Sequence, residues 1–150
     1  MDQSYNSAAD TRKPKDQVAT AINFIRIALY QRMEEHDDTK FSEIEKPIFD
    51  EYTPKLKNST YGSDEYKGYL KEMGVALKHH YENNRHHPEH FENGIKDMNL
   101  IDIIEMICDW KAAAKRHDDG DIAKSIEINQ KRFGYSDDLK QILLNTVEII

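Results

Sequence analysis

Apolar residues along this chain recur at helical spacing, and nowhere do they alternate over the length of a strand. Val18, Ile22, Ile25 and Leu29 fall four, three and four apart, with Phe24 and Ile27 widening the face, which predicts a helix over residues 16–35. Residues 1–15 are polar and closed by Pro14, and we read them as a mobile N-terminal arm. Asp38, Thr39 and Ser42 offer caps for a short second helix, with Ile44, Ile48, Phe49 and Tyr52 packing inward. Residues 54–62 then read as a loop. Tyr66, Leu70, Met73 and Leu77 predict a third helix over 64–83, with Tyr52, Tyr61, Tyr66 and Tyr69 flanking the loop before it. Three residues past Leu77, on the same face, comes His80, with His79 at its edge.

Pro88 biases His87 away from helical geometry, so residues 86–93 are an irregular loop ending near Gly94. A fourth helix opens at the cap Asn99 and runs to about residue 117. Leu100, Ile101, Ile104, Met106, Cys108 and Trp110 make it apolar nearly all round, which predicts a buried centre. After a turn at 118–121, Ile122 and Ile126 start a helix ended by Gly134, and Ser136 caps a last helix carrying Leu139, Leu143 and Val147. The pattern amounts to an all-α single domain over residues 16–150, a bundle of five to seven helices.

Composition narrows the function. At 150 residues with 38% hydrophobic and 33% charged content, the chain is large enough for one core of its own. No apolar run approaches the eighteen or so residues of a membrane span, and the first residues lack a signal peptide's apolar middle, so we expect a cytoplasmic protein without a membrane partner. Cys108 is the one cysteine, which excludes an internal disulfide and a thiolate-rich zinc site. A net charge of −7 with scattered basic residues argues against duplex nucleic acid. A small phosphorylated ligand, held by metal ions and one or two cations, remains compatible with that charge; self-association is left open.

The chemistry concentrates in three stretches. Five of the seven histidines fall between His79 and His90. His36-Asp37 lies upstream, and Asp102, Glu105 and Asp109, three and four apart, form a stripe on the most apolar helix downstream. Unpaired carboxylates beside a core persist when a cation compensates them, and clustered imidazoles are metal ligands. The bland readings are a solvated helix face for the stripe, a histidine-rich surface loop for His86, His87 and His90, and a helix cap for Asp37. We favour convergence on one site, with His36, Asp37, His80, His86, His87 and Asp109 holding one or two divalent ions. Lys40, three residues past Asp37, and Arg85 would orient a phosphate. Glu105 or Asp102 would serve as general base or orient a ligand histidine. Lys131 and Arg132, close to Tyr135, would reach a nucleotide's base or phosphate, the bland reading being a salt-bridged surface. Nitrogen and oxygen ligands without thiolate suit manganese, iron, zinc, nickel or cobalt.

His36-Asp37-Asp38-Thr39-Lys40 resembles the His-Asp-x-x-Lys signature of HD-domain metal-dependent phosphohydrolases. The His79-His80 stretch resembles the paired histidines of their cyclic-dinucleotide-cleaving branch. That resemblance implies an HD-like helical bundle, and Asp109 in the place of the distal metal-binding aspartate. Residues 10–146 also resemble a family of small uncharacterised phage and bacterial proteins. Its matching blocks include His86-His87-Pro88-Glu89-His90-Phe91 and Glu105-Met106-Ile107-Cys108-Asp109-Trp110. HD domains usually place a further histidine before the His-Asp pair, and residues 16–35 contain none, Asn23 being the nearest polar substitute. Either the loop histidines complete the shell or a ligand has been lost. The leading expectation is a phosphohydrolase acting on a nucleotide or signalling nucleotide. The alternatives are a non-catalytic nucleotide- or metal-binding module, and a phage-type helical interaction protein.

Overall fold

A computed structural model describes residues 7–60, 62–116 and 120–150. Seven α-helices and three short 3-10 turns make up the regular structure, and no strand occurs among the described residues. The protein is all-α. It divides into two compact units, residues 1–35 and residues 36–150.

The first unit is helix α1, Ser7–Glu35. It begins well before the expected residue 16 and runs through Pro14. A proline inside a helix removes one backbone hydrogen bond, and the polar residues ahead of it do not forbid a helix; they only deprive it of a packing face. Thr11 Oγ1 donates to the Ser7 carbonyl at 2.7 Å. Val18, Ile22 and Phe24 are exposed.

In the second unit a 3-10 turn, Asp38–Phe41, leads to α2, Lys46–Lys57. Here two expectations need correction. Ile44 is exposed instead of packed, and Pro54 does not start a loop but lies inside α2. The helix survives because Pro54 falls in its last turn, where its carbonyl still accepts from the Asn58 N–H at 3.2 Å. Ser63 then caps α3, Asp64–Glu72, its side chain accepting from the Tyr66 N–H.

The expected helix over 64–83 is in fact two. It breaks at Met73, with α4 covering Gly74–Asn83. Gly74 makes the break cheap, since glycine holds helical geometry poorly. Met73 is completely buried at the joint, as is Ala76 one turn on. Further 3-10 turns occupy Pro88–His90 and Gly94–Asp97 in the predicted irregular loop.

Helix α5, Leu100–Ala114, starts at a full capping box: the Asn99 side chain accepts from the Asp102 N–H, and the Asp102 side chain accepts from the Asn99 N–H. Against expectation it is not buried all round. Met106 and Ile107 are inside, but Leu100 is 71% exposed and Cys108 is also exposed. Helices α6, Ile122–Phe133, and α7, Asp137–Val147, cover it. Gly134 ends α6 at φ 66°, a left-handed value that glycine takes without strain. The core joins Ile107, Ile126, Leu143 and Val147 of this trio with Tyr135 from the link between α6 and α7. Tyr61, His117 and the Asp118-Asp119 part of the predicted turn lie outside the described residues, as do residues 1–6 of the predicted arm.

None of the helices among the described residues is long and apolar enough to cross a membrane.

Candidate metal centre

Asp37 turns the chain into the site. It is the one non-glycine residue with positive φ among those described, at φ 60° and ψ 13°. Aspartate tolerates this left-handed geometry better than most residues, and strained backbone of this kind concentrates at functional sites. The turn sends one oxygen, Oδ1, toward His80 Nε2 at 3.2 Å and His86 Nε2 at 3.5 Å. The other, Oδ2, accepts from Lys40 Nζ at 2.5 Å and lies 3.5 Å from His36 Nε2.

Helix α4 supplies the next ligand. His80 is 2% exposed at the predicted inward position. Its Nδ1 stands 2.9 Å from Glu45 Oε2, while His79 Nδ1 stands 2.7 Å from Glu45 Oε1. A carboxylate only accepts, so each Nδ1 is the donor. His80 Nε2 is the nitrogen that faces Asp37 Oδ1, at 3.2 Å, and His87 Nε2, 2.9 Å away. Glu45 is completely buried. Asn84 fastens the arrangement, donating to the His80 carbonyl at 2.8 Å and to Thr39 Oγ1 at 2.7 Å.

The loop after α4 contributes His86 and His87, and α5 contributes Glu105 and Asp109. His36 Nδ1 bonds Glu105 Oε1 at 2.9 Å, and its Nε2 lies 3.8 Å from Asp109 Oδ1. His86 Nδ1 comes within 3.0 Å of the same Glu105 oxygen, out of hydrogen-bonding alignment. Three overlapping sets of ligand atoms lie within 4.8 Å of one another: Asp37, His80, His86 and His87; His36, His86 and Glu105; His36, Asp37 and Asp109. Asp37 Oδ1 and both ring nitrogens of His86 are buried without a hydrogen-bond partner. Buried polar atoms are nearly always satisfied, and a cation between Asp37 Oδ1 and His86 Nε2, 3.5 Å apart, would satisfy both of those atoms. The residues therefore fit a divalent ion.

The electrostatics agree. The neighbouring carboxylates of Asp109, at 3.8 Å, and Glu105, hydrogen-bonded at 2.9 Å, raise the His36 pKa to about 10 against the effect of burial. Burial works to raise Asp37, yet His80, Lys40 and His36 hold its carboxyl far below the usual carboxylate range. Burial works to raise Asp109 as well, but His36, His86 and His87 together bring it below the ordinary carboxylate value. Burial, then the neighbouring His86 and His80, pushes His87 down to about 3, so that ring is neutral and ready to ligate. The proton that His36 retains supplies part of the positive charge that these carboxylates attract.

Other expected site residues go elsewhere. Asp102, read as a base, is completely buried and receives a two-pronged bond from Arg85, Nε to Oδ1 at 3.1 Å and Nη2 to Oδ2 at 3.0 Å. With the helix cap, this commits both oxygens to scaffold, and it commits the Arg85 fork that was read as a phosphate ligand. Arg85 also stacks on Phe91. Arg132 pairs with Glu89 at 2.5 Å and covers Phe133, while Lys131 is exposed on the last turn of α6. This is the salt-bridged surface of the bland reading. His90 Nδ1 donates to the Tyr81 carbonyl at 2.8 Å and pins the loop to α4. Glu105, the other candidate base, lies between His36 and His86 and orients His36. Glu45, Thr39 and Asn84 are the supporting residues that sequence reasoning did not connect to the site; an acid ahead of Lys46-Pro47 carries no local sign of pairing with histidines 34 and 35 residues away.

A cleft of about 490 Å³ opens beside the cluster, lined by His36, Asp37, Lys40 and Phe41 and by Lys46, Phe49, Asp50 and Thr53 of α2. No curated protein and no solved structure matches the chain. One family does, over residues 3–149. The chain belongs to that family of unknown function, DUF5662.

Proposed function

We propose that this protein is a metal-dependent phosphohydrolase acting in the cytoplasm on a phosphate ester or phosphoanhydride of a nucleotide or signalling nucleotide. The observation that carries the reading is the pair of unpartnered buried atoms, Asp37 Oδ1 and His86 Nε2, 3.5 Å apart where Asp37, His80, His86 and His87 converge. Those four would hold one ion of manganese, iron, zinc, nickel or cobalt. His36, Asp37 and Asp109 would hold a second, with Asp37 shared between the two.

A bound divalent ion supplies a water of lowered pKa and positive charge for a phosphoryl group. The chain's own residues do the rest. Glu45 holds His80 in the ligating tautomer, and Glu105 orients His36. Lys40 lines the cleft and offers its ammonium to a phosphate oxygen. His36, 32% exposed, marks where the cluster opens to the cleft.

A second reading has its own support. Three imidazoles and one carboxylate make a closed four-ligand set, the pattern of structural rather than catalytic ions. Elemental analysis of untagged protein, followed by a phosphate-release screen over nucleotides, separates the two. The hydrolase is expected to retain near-stoichiometric metal and release phosphate, and Asp109→Ala is to abolish release while the protein stays folded. Metal without turnover of any nucleotide favours the structural ion. No metal, even after adding manganese, zinc or iron, overturns both.

A further inference from the structure

The cleft carries more than a phosphate needs. Its volume of about 490 Å³ lies in the range of sites for whole small molecules. Phe41 lines it with a ring that is 77% exposed. Single exposed aromatics are ordinary on a surface, but this one stands in a concavity that also contains His36 and Asp37 of the metal cluster. Phe49, by contrast, is fixed: His80 meets its ring edge-on at 5.6 Å between centroids, and Lys40 Nζ lies 5.2 Å from its centre. Lys46, Phe49, Asp50 and Thr53 fall zero, three, four and seven residues along α2, so one helical face turns toward the cleft. Lys46 and Asp50 form an ion pair of 2.5 Å there, placing a donor and an acceptor side by side with the Thr53 hydroxyl one turn on.

We propose that this cleft is a nucleobase subsite in which Phe41 is the stacking platform, the substrate being a nucleoside monophosphate whose phosphate lies at the Lys40 and Asp37 end. The proposal deepens the phosphohydrolase reading and rests on it for the phosphate end alone. A bare phosphate or small alkyl phosphate leaves the Phe41 ring in water. A flat base covers it, and stacking on an aromatic side chain accepts any base because each has a π-face. The exocyclic groups of a base or the hydroxyls of a ribose meet both a donor and an acceptor in Lys46, Asp50 and Thr53.

The test uses the full chain loaded with manganese and three hydrolysis-resistant probes: the 5′-methylenephosphonate analogue of adenosine monophosphate, methylphosphonate and inorganic phosphate. Calorimetry is expected to show the adenosine probe binding at least about ten-fold tighter than methylphosphonate. Phe41→Ala is to weaken the adenosine probe roughly 5- to 100-fold, and Phe41→Trp is to restore it. Both variants are to keep wild-type manganese content and phosphate affinity. Equal affinity of the two phosphonates, or an adenosine preference untouched by Phe41→Ala, overturns the subsite. Failure to hold manganese and phosphate while the adenosine probe still binds through Phe41 overturns the hydrolase reading and leaves the subsite standing.

Discussion

Glu45 presents both carboxylate oxygens to imidazoles, one to His79 and one to His80, in a place solvent does not reach. Its effect on the metal centre is indirect but measurable. Without the acceptor, His80 is free to carry its proton on Nε2, the nitrogen that faces Asp37. Outer partners of this kind are worth roughly ten- to a hundred-fold in metal affinity. Glu45→Gln is expected to weaken manganese or zinc binding by that factor with helix content unchanged, as read by competition with a chromogenic chelator. Wild-type affinity in that variant would show that something other than Glu45 sets the His80 tautomer.

His36 makes a pH prediction. Its pKa in the folded protein is raised from 6.5 to about 10, chiefly by Asp109 and Glu105. A group whose folded pKa is raised stabilises the fold fully below its unfolded pKa and loses that contribution as pH climbs through the folded value. Metal-free protein should therefore lose melting temperature steadily from about pH 6.5 toward pH 10, and His36→Gln should flatten the slope in thermal melts. Asp37 and Asp109 act in the opposite sense. Their lowered values stabilise the fold above the ordinary carboxylate pKa of 3.8, and that contribution is lost in acid.

At the scale of elements, α5 does two jobs with one stripe. Its first turn uses Asp102 for the capping box and for Arg85, while Glu105 and Asp109, one and two turns on, face the cluster. The two jobs should separate by mutation. Asp102→Ala removes a cap worth about 1 kcal/mol and leaves the Arg85 guanidinium without its acceptor, so a loss of about 2 kcal/mol in urea denaturation is expected, with metal content retained. Metal loss without destabilisation would return Asp102 to the site. Two helix starts were plain in the chain: Asn99 and Ser136 each accept from a backbone N–H of the first turn that follows, Ser63 and Asp121 do the same for α3 and α6, and Gly134 ends α6 as its position suggested. Less plain were helix interruptions. Pro54 in the last turn of α2 and the break at Met73, ahead of Gly74, leave the apolar spacing unchanged, so the periodicity alone does not announce them.

Over the unit formed by residues 36–150, the His36 turn, α4, the loop after it and α5 bring carboxylates and imidazoles together, and the proton that His36 retains supplies part of the balancing charge. Metal binding must displace that proton, so it is expected to release protons and to strengthen as pH rises. A metal concentration one hundred times Kd adds about 2.7 kcal/mol of stability. Manganese or zinc should raise the melting temperature, ethylenediaminetetraacetate should reverse the rise, and the alkaline slope attributed to His36 should shrink in the loaded protein. An unchanged melting temperature with any of the five candidate metals would speak against a specific site.

The helical class, several helix ends and the histidine and carboxylate residues worth watching were determined by the chain itself, because periodicity and capping act over three or four neighbours, whereas the start of α1, the passage of α2 through Pro54 and the break at Met73 were not. His80 was legible for that reason, as the inward continuation of Tyr66, Leu70, Met73 and Leu77. Which of the charged residues meet was decided only in three dimensions. Glu45 joins His79 and His80, Arg85 leaves the phosphate role for Asp102, and Arg132 goes to Glu89. Charge pairing at such separations has no local signature: each side chain is equally at home in solvent until the helices dock. Burial then makes an unpaired charge costly and dictates its partner.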